Sequence, residues 1–157
     1  MSKLFDLQNK NVLLTGASKG MGLAMAQGLV NHGANVVISS RKLDQCQKAI
    51  ENINESIGQE KAFAFSCNAS SKDELNALVD FSISKLGSIT TLVCNAGVNS
   101  FFGSMSEIDD ESYDKTMDTN VKSNHWLINM VTPSMKESGG GSVMITSSIA
   151  AFHASET

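Results

Sequence analysis

Short apolar runs alternate with longer amphipathic stretches along the whole chain. Val12-Leu13-Leu14, Val36-Val37-Ile38-Ser39, Ala62-Phe63-Ala64-Phe65, Thr91-Leu92-Val93-Cys94 and Ser142 to Thr146 are each short enough to read as strands. Between them the apolar residues fall at helical spacing. Leu23, Ala24, Ala26, Leu29 and Val30 share one face, as do Leu43, Cys46, Ile50, Ile53 and Ile57, and then Leu75, Leu78, Val79, Ile83 and Leu86. Tyr113, Met117, Val121, Ile128 and Val131 mark a longer helix. Gly33, Gly58 and Gly87 stop the first three helices, and Pro133 with Gly139 to Gly141 closes the last. Ser71-Lys72-Asp73-Glu74 has the form of a capping box, and Asp109 or Asp110 would cap the long helix.

Strand and helix alternate through five strands, with no repeat and no low-complexity segment. That is the pattern of an α/β fold with a doubly wound parallel sheet. Right-handed crossovers favour strand order 3-2-1-4-5, with the first and fourth strands meeting at the switch point. A ligand should then lie outside the C-terminal strand ends. The polar clusters fall at those ends: Gly16 to Gly22, Ser40-Arg41, Asn68, Asn95 to Gly97, and Ser148.

The stretch N-V-L-L-T-G-A-S-K-G-M-G, residues 11–22, is a strand, a glycine turn and a helix start. Its glycines follow G-x-x-x-G-x-G spacing. Gly16 allows a tight turn, Gly20 lets the backbone approach a phosphate, and Gly22 lets the helix pack close to the strand. A dinucleotide pyrophosphate can sit on such a helix N-terminus.

Composition narrows the classes. A length of 157 residues suits one domain, 1–157, and 41% hydrophobic residues supply a core. The net charge is −4, with no basic stripe, which argues against nucleic acid. Cys46, Cys67 and Cys94 have neither metal-ligand spacing nor a disulfide pattern, so no metal site is expected and the thiols read as packed and reduced in a cytoplasmic protein. No stretch is apolar enough for a membrane span, the start lacks a signal-peptide run, and Ser155-Glu156-Thr157 matches no targeting address.

Four motifs together resemble the classical short-chain dehydrogenase/reductase family. They are Thr15-Gly16-Ala17-Ser18-Lys19-Gly20-Met21-Gly22, Asn95-Ala96-Gly97, Asn120 in D-T-N-V-K, and Ser148 in I-T-S-S-I-A. Asn99 to Gly103 and Gly139 to Val143 further resemble NADPH-dependent carbonyl and retinal reductases of that family. The resemblance implies a Rossmann-like fold, with Gly16, Ser18, Gly20 and Met21 around the pyrophosphate and adenosine side of a cofactor. It places Asn95-Ala96-Gly97 under the adenine ribose. Where the family usually has an aspartate after the third strand, this chain has Asn68-Ala69, whose amide oxygen could accept from the adenine amino group.

Charge argues for NADP over NAD. The second strand ends in Ser39-Ser40-Arg41-Lys42, with no acid before Asp44 to repel a 2′-phosphate. Arg41 can fork onto that phosphate, and Lys19 could add a second positive charge.

The family reaction moves a hydride between a nicotinamide and a small-molecule carbonyl or alcohol. A tyrosine, a lysine four residues later, a serine and an asparagine manage the proton. Ser148 matches the serine and Asn120 the asparagine. The one tyrosine is Tyr113, which is followed four residues on by Met117 and reads as a packing residue. Nothing between Ile149 and Thr157 is Tyr or Lys. The resemblance therefore implies a sheet incomplete on its C-terminal side, an exposed fifth strand, and a 157-residue chain that is inactive alone and marginally stable. A complete chain would form homo-oligomers. The competing readings are a catalytically inactive nucleotide-binding or interaction module on the same half-domain, and a chain that recruits a partner's tyrosine.

Overall fold

The computed structural model describes residues 3–153. The remaining terminal residues, including Ser155-Glu156-Thr157, lie outside the described residues. Five strands form one sheet in the order β3-β2-β1-β4-β5, as the crossover argument requires. They are β1 (Asn11–Thr15), β2 (Asn35–Ser40), β3 (Ala62–Ser66), β4 (Thr91–Cys94) and β5 (Ser142–Ile145). All four pairings are parallel, and Leu14 stands opposite both Ile38 and Val93. The C-terminal ends of β1, β2 and β4 therefore emerge side by side.

Strand periodicity divides the core in two. On one face, Val12, Leu14, Val36, Ile38 and Val93 pack against helices α1 (Gly20–Asn31) and α2 (Leu43–Ile57), chiefly Ala26, Val30, Cys46 and Ile53. On the other, Leu13, Val37, Leu92 and Cys94 meet α3 (Lys72–Leu86) and α5 (Ser123–Glu137) through Leu75, Leu78, Leu127 and Val131. Leu13, Leu14, Ile38, Leu75 and Leu92 are fully buried. Each contributes about 1.5–3 kcal/mol by leaving water.

The helix ends follow the local chemistry. The Ser71 side chain accepts from Glu74 N at the start of α3. The reciprocal bond of a capping box is diverted, because Glu74 Oε2 accepts from Asn68 N at 2.7 Å. Asp109 Oδ1 accepts from Ser112 N at 2.7 Å and caps α4 (Asp110–Met117). These bonds hold the Asp109 carboxyl below its ordinary pKa, so this cap strengthens the fold above the unfolded-state pKa and fails as acid protonates it.

The long fourth helix departs from expectation twice. It is α4, a π-helical turn at Asp118–Lys122, and then α5, rather than one regular helix. It also passes through Pro133 and ends at Glu137, with Gly139 at φ +87° beyond it. A proline inside a helix costs about 3 kcal/mol. Burial of Leu127, Val131 and Met135 on the same helix offsets that cost. Tyr113, read as packing, is 46% exposed on α4. The fifth strand is bare as expected, with Val143, Met144 and Ile145 exposed. Among the described residues no helix is long and apolar enough to cross a membrane, and no cluster of His, Cys, Asp or Glu could hold a metal.

Candidate cofactor site

The C-terminal strand ends enclose a cavity of about 490 Å³. Thr15, Gly16, Ser18 and Lys19 line it from the end of β1, Ser39 to Lys42 from β2, and Cys67 to Ser70 from β3. Asn95 to Val98 after β4, with Lys115 and Thr119 from the α4 side, complete the wall. Ten residues expected at a cofactor site thus converge: Gly16, Ser18, Lys19, Ser40, Arg41, Asn68, Ala69, Asn95, Ala96 and Gly97. Gly20, Met21 and Gly22 form the adjoining first turn of α1.

The turn after β1 is built against the turn after β4. Thr15 is 2% exposed, and its Oγ1 accepts from both Asn95 N and Ala96 N at 3.1 Å. Asn95 Nδ2 donates to Thr15 O and Gly16 O, and its Oδ1 accepts from Thr146 Oγ1 at 3.2 Å. One amide therefore ties the chain after β1, β4 and β5. We expect Thr15→Val to lose about 2–4 kcal/mol, because two N–H groups lose their acceptor. Urea unfolding checks this, and Thr15→Ser should retain most of the stability.

Two glycines make this approach possible. Gly16 has φ +66°, and a Cβ there would lie 2.7 Å from Ala96 Cα. A Cβ at Gly22 would lie 2.4 Å from Gly16 O. The N-terminus of α1 has no side-chain cap and no acid in its first turn. Its N–H groups and dipole suit an anion. At Gly20, φ is +58° and a Cβ would meet nothing within 4 Å. The residues present therefore fit a nucleotide pyrophosphate at this turn.

At the end of β2, the Ser40 hydroxyl is engaged locally, 3.1 Å from Cys46 Sγ and 3.3 Å from Lys42 N. Arg41 and Lys42 are exposed, and among the described residues neither has an ion-pair partner. Asn68 lines the cavity, and its Oδ1 accepts from Ser70 Oγ at 2.9 Å and from Ser70 N at 3.3 Å.

The two residues matched to catalysis stand apart from the cavity lining. Asn120, in the π-helical turn, clamps Val98: Nδ2 donates to Val98 O, and Val98 N donates to Oδ1, both at 2.8 Å. This clamp joins the π turn to the loop after β4. Ser148 is exposed beyond β5, and its Oγ accepts from Ala150 N at 3.2 Å. The three thiols are buried and free. Burial pushes Cys67 up to about 12, with Glu74 adding to it, and pushes Cys94 up to about 11. Burial also raises Cys46, against the lowering effect of its Ser40 hydrogen bond. The native thiols hold protons that unfolded ones release, so this contribution to stability is complete below about pH 9 and is lost as pH rises toward 12.

Sequence spacing did not single out Lys115 or Thr119. They lie four residues apart on one helical face, and only the path of the helix past the β4 loop brings them to the cavity.

The chain belongs to the short chain dehydrogenase family, which it matches over residues 10–157. It is 39% identical over 153 residues to human dehydrogenase/reductase SDR family member 4, covering 97% of this chain and 54% of that protein. The Caenorhabditis elegans protein of the same name is 36% identical over 145 residues, covering 92% of this chain and 55% of that one. The chain thus spans about half the length of these curated relatives. Among solved structures, it resembles a 7 alpha-hydroxysteroid dehydrogenase complexed with NADH and 7-oxo glycochenodeoxycholic acid, with TM-score 0.90 and 34% identity over 96% of this chain and 58% of that one. A hydroxysteroid dehydrogenase from Escherichia coli gives TM-score 0.85 and 31% identity over 94% of this chain and 61% of that chain.

Proposed function

We propose that this chain is the cofactor-binding part of an NADP(H)-dependent oxidoreductase acting on a carbonyl compound or secondary alcohol. The observation that carries the reading is the cationic end of β2, where Arg41 and Lys42 line a cavity that, among the described residues, no carboxylate lines. A second nucleotide phosphate is favoured there, and the 2′-hydroxyl of NAD finds no acid to bind it.

The bound cofactor would supply the hydride. This chain's part is to hold and orient it. The α1 N-terminus receives the pyrophosphate, Arg41 the 2′-phosphate, and Asn95 to Gly97 form the floor. Asn120 keeps that floor in place through Val98. Ser148 has a hydroxyl suited to orienting a substrate oxygen. Among the 157 residues the one tyrosine, Tyr113, is followed four residues on by Met117 rather than a lysine, so on this reading these residues alone bind cofactor without turning over substrate.

The test is a titration with NADPH and NADH, followed by energy transfer from Trp126, the one tryptophan. We expect NADPH to bind more tightly than NADH, with no NADPH oxidation when a panel of carbonyl compounds is added. Turnover by the purified 157 residues would defeat the reading that the tyrosine is indispensable. Tighter binding of NADH would defeat the cofactor assignment.

A further inference from the structure

The charge around the cavity is opposite to that of the chain as a whole. The chain carries 12 Lys and Arg against 16 Asp and Glu. Yet Lys19, Arg41, Lys42 and Lys115 all line the cavity, and among the described residues no Asp or Glu does. A third of the chain's cations, four of 12, therefore ring one opening. Three of them come from the turns after β1 and β2. Lys115 comes from α4, on a separate wall, and Thr119 one helical turn later lines the same wall.

Lys115 is exposed, and among the described residues it is in no ion pair. The neighbouring Asp118 is engaged by Lys122 at 3.0 Å. An exposed ammonium of this kind adds little to equilibrium affinity, since water and salt screen a contact at the surface. Its field still acts on an approaching anion at distances below the Debye length, about 30 Å at 0.01 M salt and about 8 Å at 0.15 M. A ring of one sign around a cleft raises the encounter rate. On the cofactor reading, the approaching molecule is a dinucleotide, and NADPH carries up to about two more negative charges than NADH.

We propose that Lys115 is an electrostatic steering residue for the phosphorylated dinucleotide, completing the cationic rim from the α4 side. The assignment rests on the cofactor reading above. It assigns Lys115 to the speed of capture rather than to the strength of hold.

Stopped-flow binding of NADPH and NADH to the full chain, read through Trp126, tests this in low and high salt. For Lys115→Glu at low salt, the NADPH association rate should fall about three- to tenfold, with a smaller fall for NADH. The dissociation rate should stay within about twofold, and the difference should shrink at about 0.5 M salt. Lys115→Arg should keep the parent rate, and Lys115→Gln should fall between the two. An unchanged association rate would overturn the steering role, as would an effect confined to dissociation. Failure of the parent chain to bind either nucleotide would instead overturn the cofactor reading, and this inference with it.

Discussion

Gly22→Ala is expected to remove about 3–5 kcal/mol of folding stability, enough to unfold a marginal domain. The added methyl would lie 2.4 Å from Gly16 O, 2.7 Å from Ala17 Cα and 2.7 Å from Asn95 Nδ2. Real side chains do not approach so closely, so something must shift. Gly16 O cannot move freely, because it accepts from Asn95 Nδ2 at 2.9 Å. Moving Asn95 would disturb its bonds to Thr15 and Thr146. Relief then requires α1 to lift from the sheet, which would expose Ala26 and Val30. Urea unfolding measures the loss as a lower midpoint. Gly20→Ala is the comparison, since its methyl enters open space and only the positive φ opposes it. That costs about 1 kcal/mol. Its larger effect should be on cofactor binding, where the methyl would stand between the backbone and a phosphate. A loss below about 1 kcal/mol for Gly22→Ala would show that helix and strand have room to spare, and the close-approach argument would fail.

Arg41→Ala is expected to weaken NADPH binding about 10- to 100-fold at low salt and NADH binding by less than about threefold. A charge-assisted contact contributes about 1.5–3 kcal/mol, and the lower part of that range applies where solvent competes. Arg41 lines the cavity and is exposed, so the preference should narrow as salt increases. The neighbouring Lys42 would retain part of the selectivity, and the double variant should lose most of it. Equal losses for both nucleotides would place Arg41 on a group they share and defeat the 2′-phosphate argument.

β1, β2 and β4 were legible because each is a short apolar run, buried on both faces between helices. Leu13 and Leu14 point to opposite layers, which leaves no polar position for either. Strand order followed from chain connectivity. The break at Asp118–Lys122 was not legible, because a tertiary bond marks it: Asn120 turns its amide toward the Val98 backbone, far from its own helix in sequence. Pro133 misled for a related reason, since burial around it outweighs its local preference. At the site, the glycine turn and Arg41 could be read from charge and spacing. The engagement of Asn68 by Ser70, and the reach of Lys115 to the cavity, depend on how loops lie.

The bond from Asn95 N to Thr15 Oγ1 joins residues 80 positions apart. During synthesis, the glycine turn leaves the ribosome long before its counterpart after β4. Until β4 docks beside β1, the two N–H groups that Thr15 receives are absent, and so are Asn95 and the floor of the cavity. Closing a loop of that length costs entropy before any contact repays it. On the proposed cofactor reading, a nascent chain halted after β3 therefore has the glycine turn but lacks the Asn95 to Val98 wall against which a nucleotide would be held.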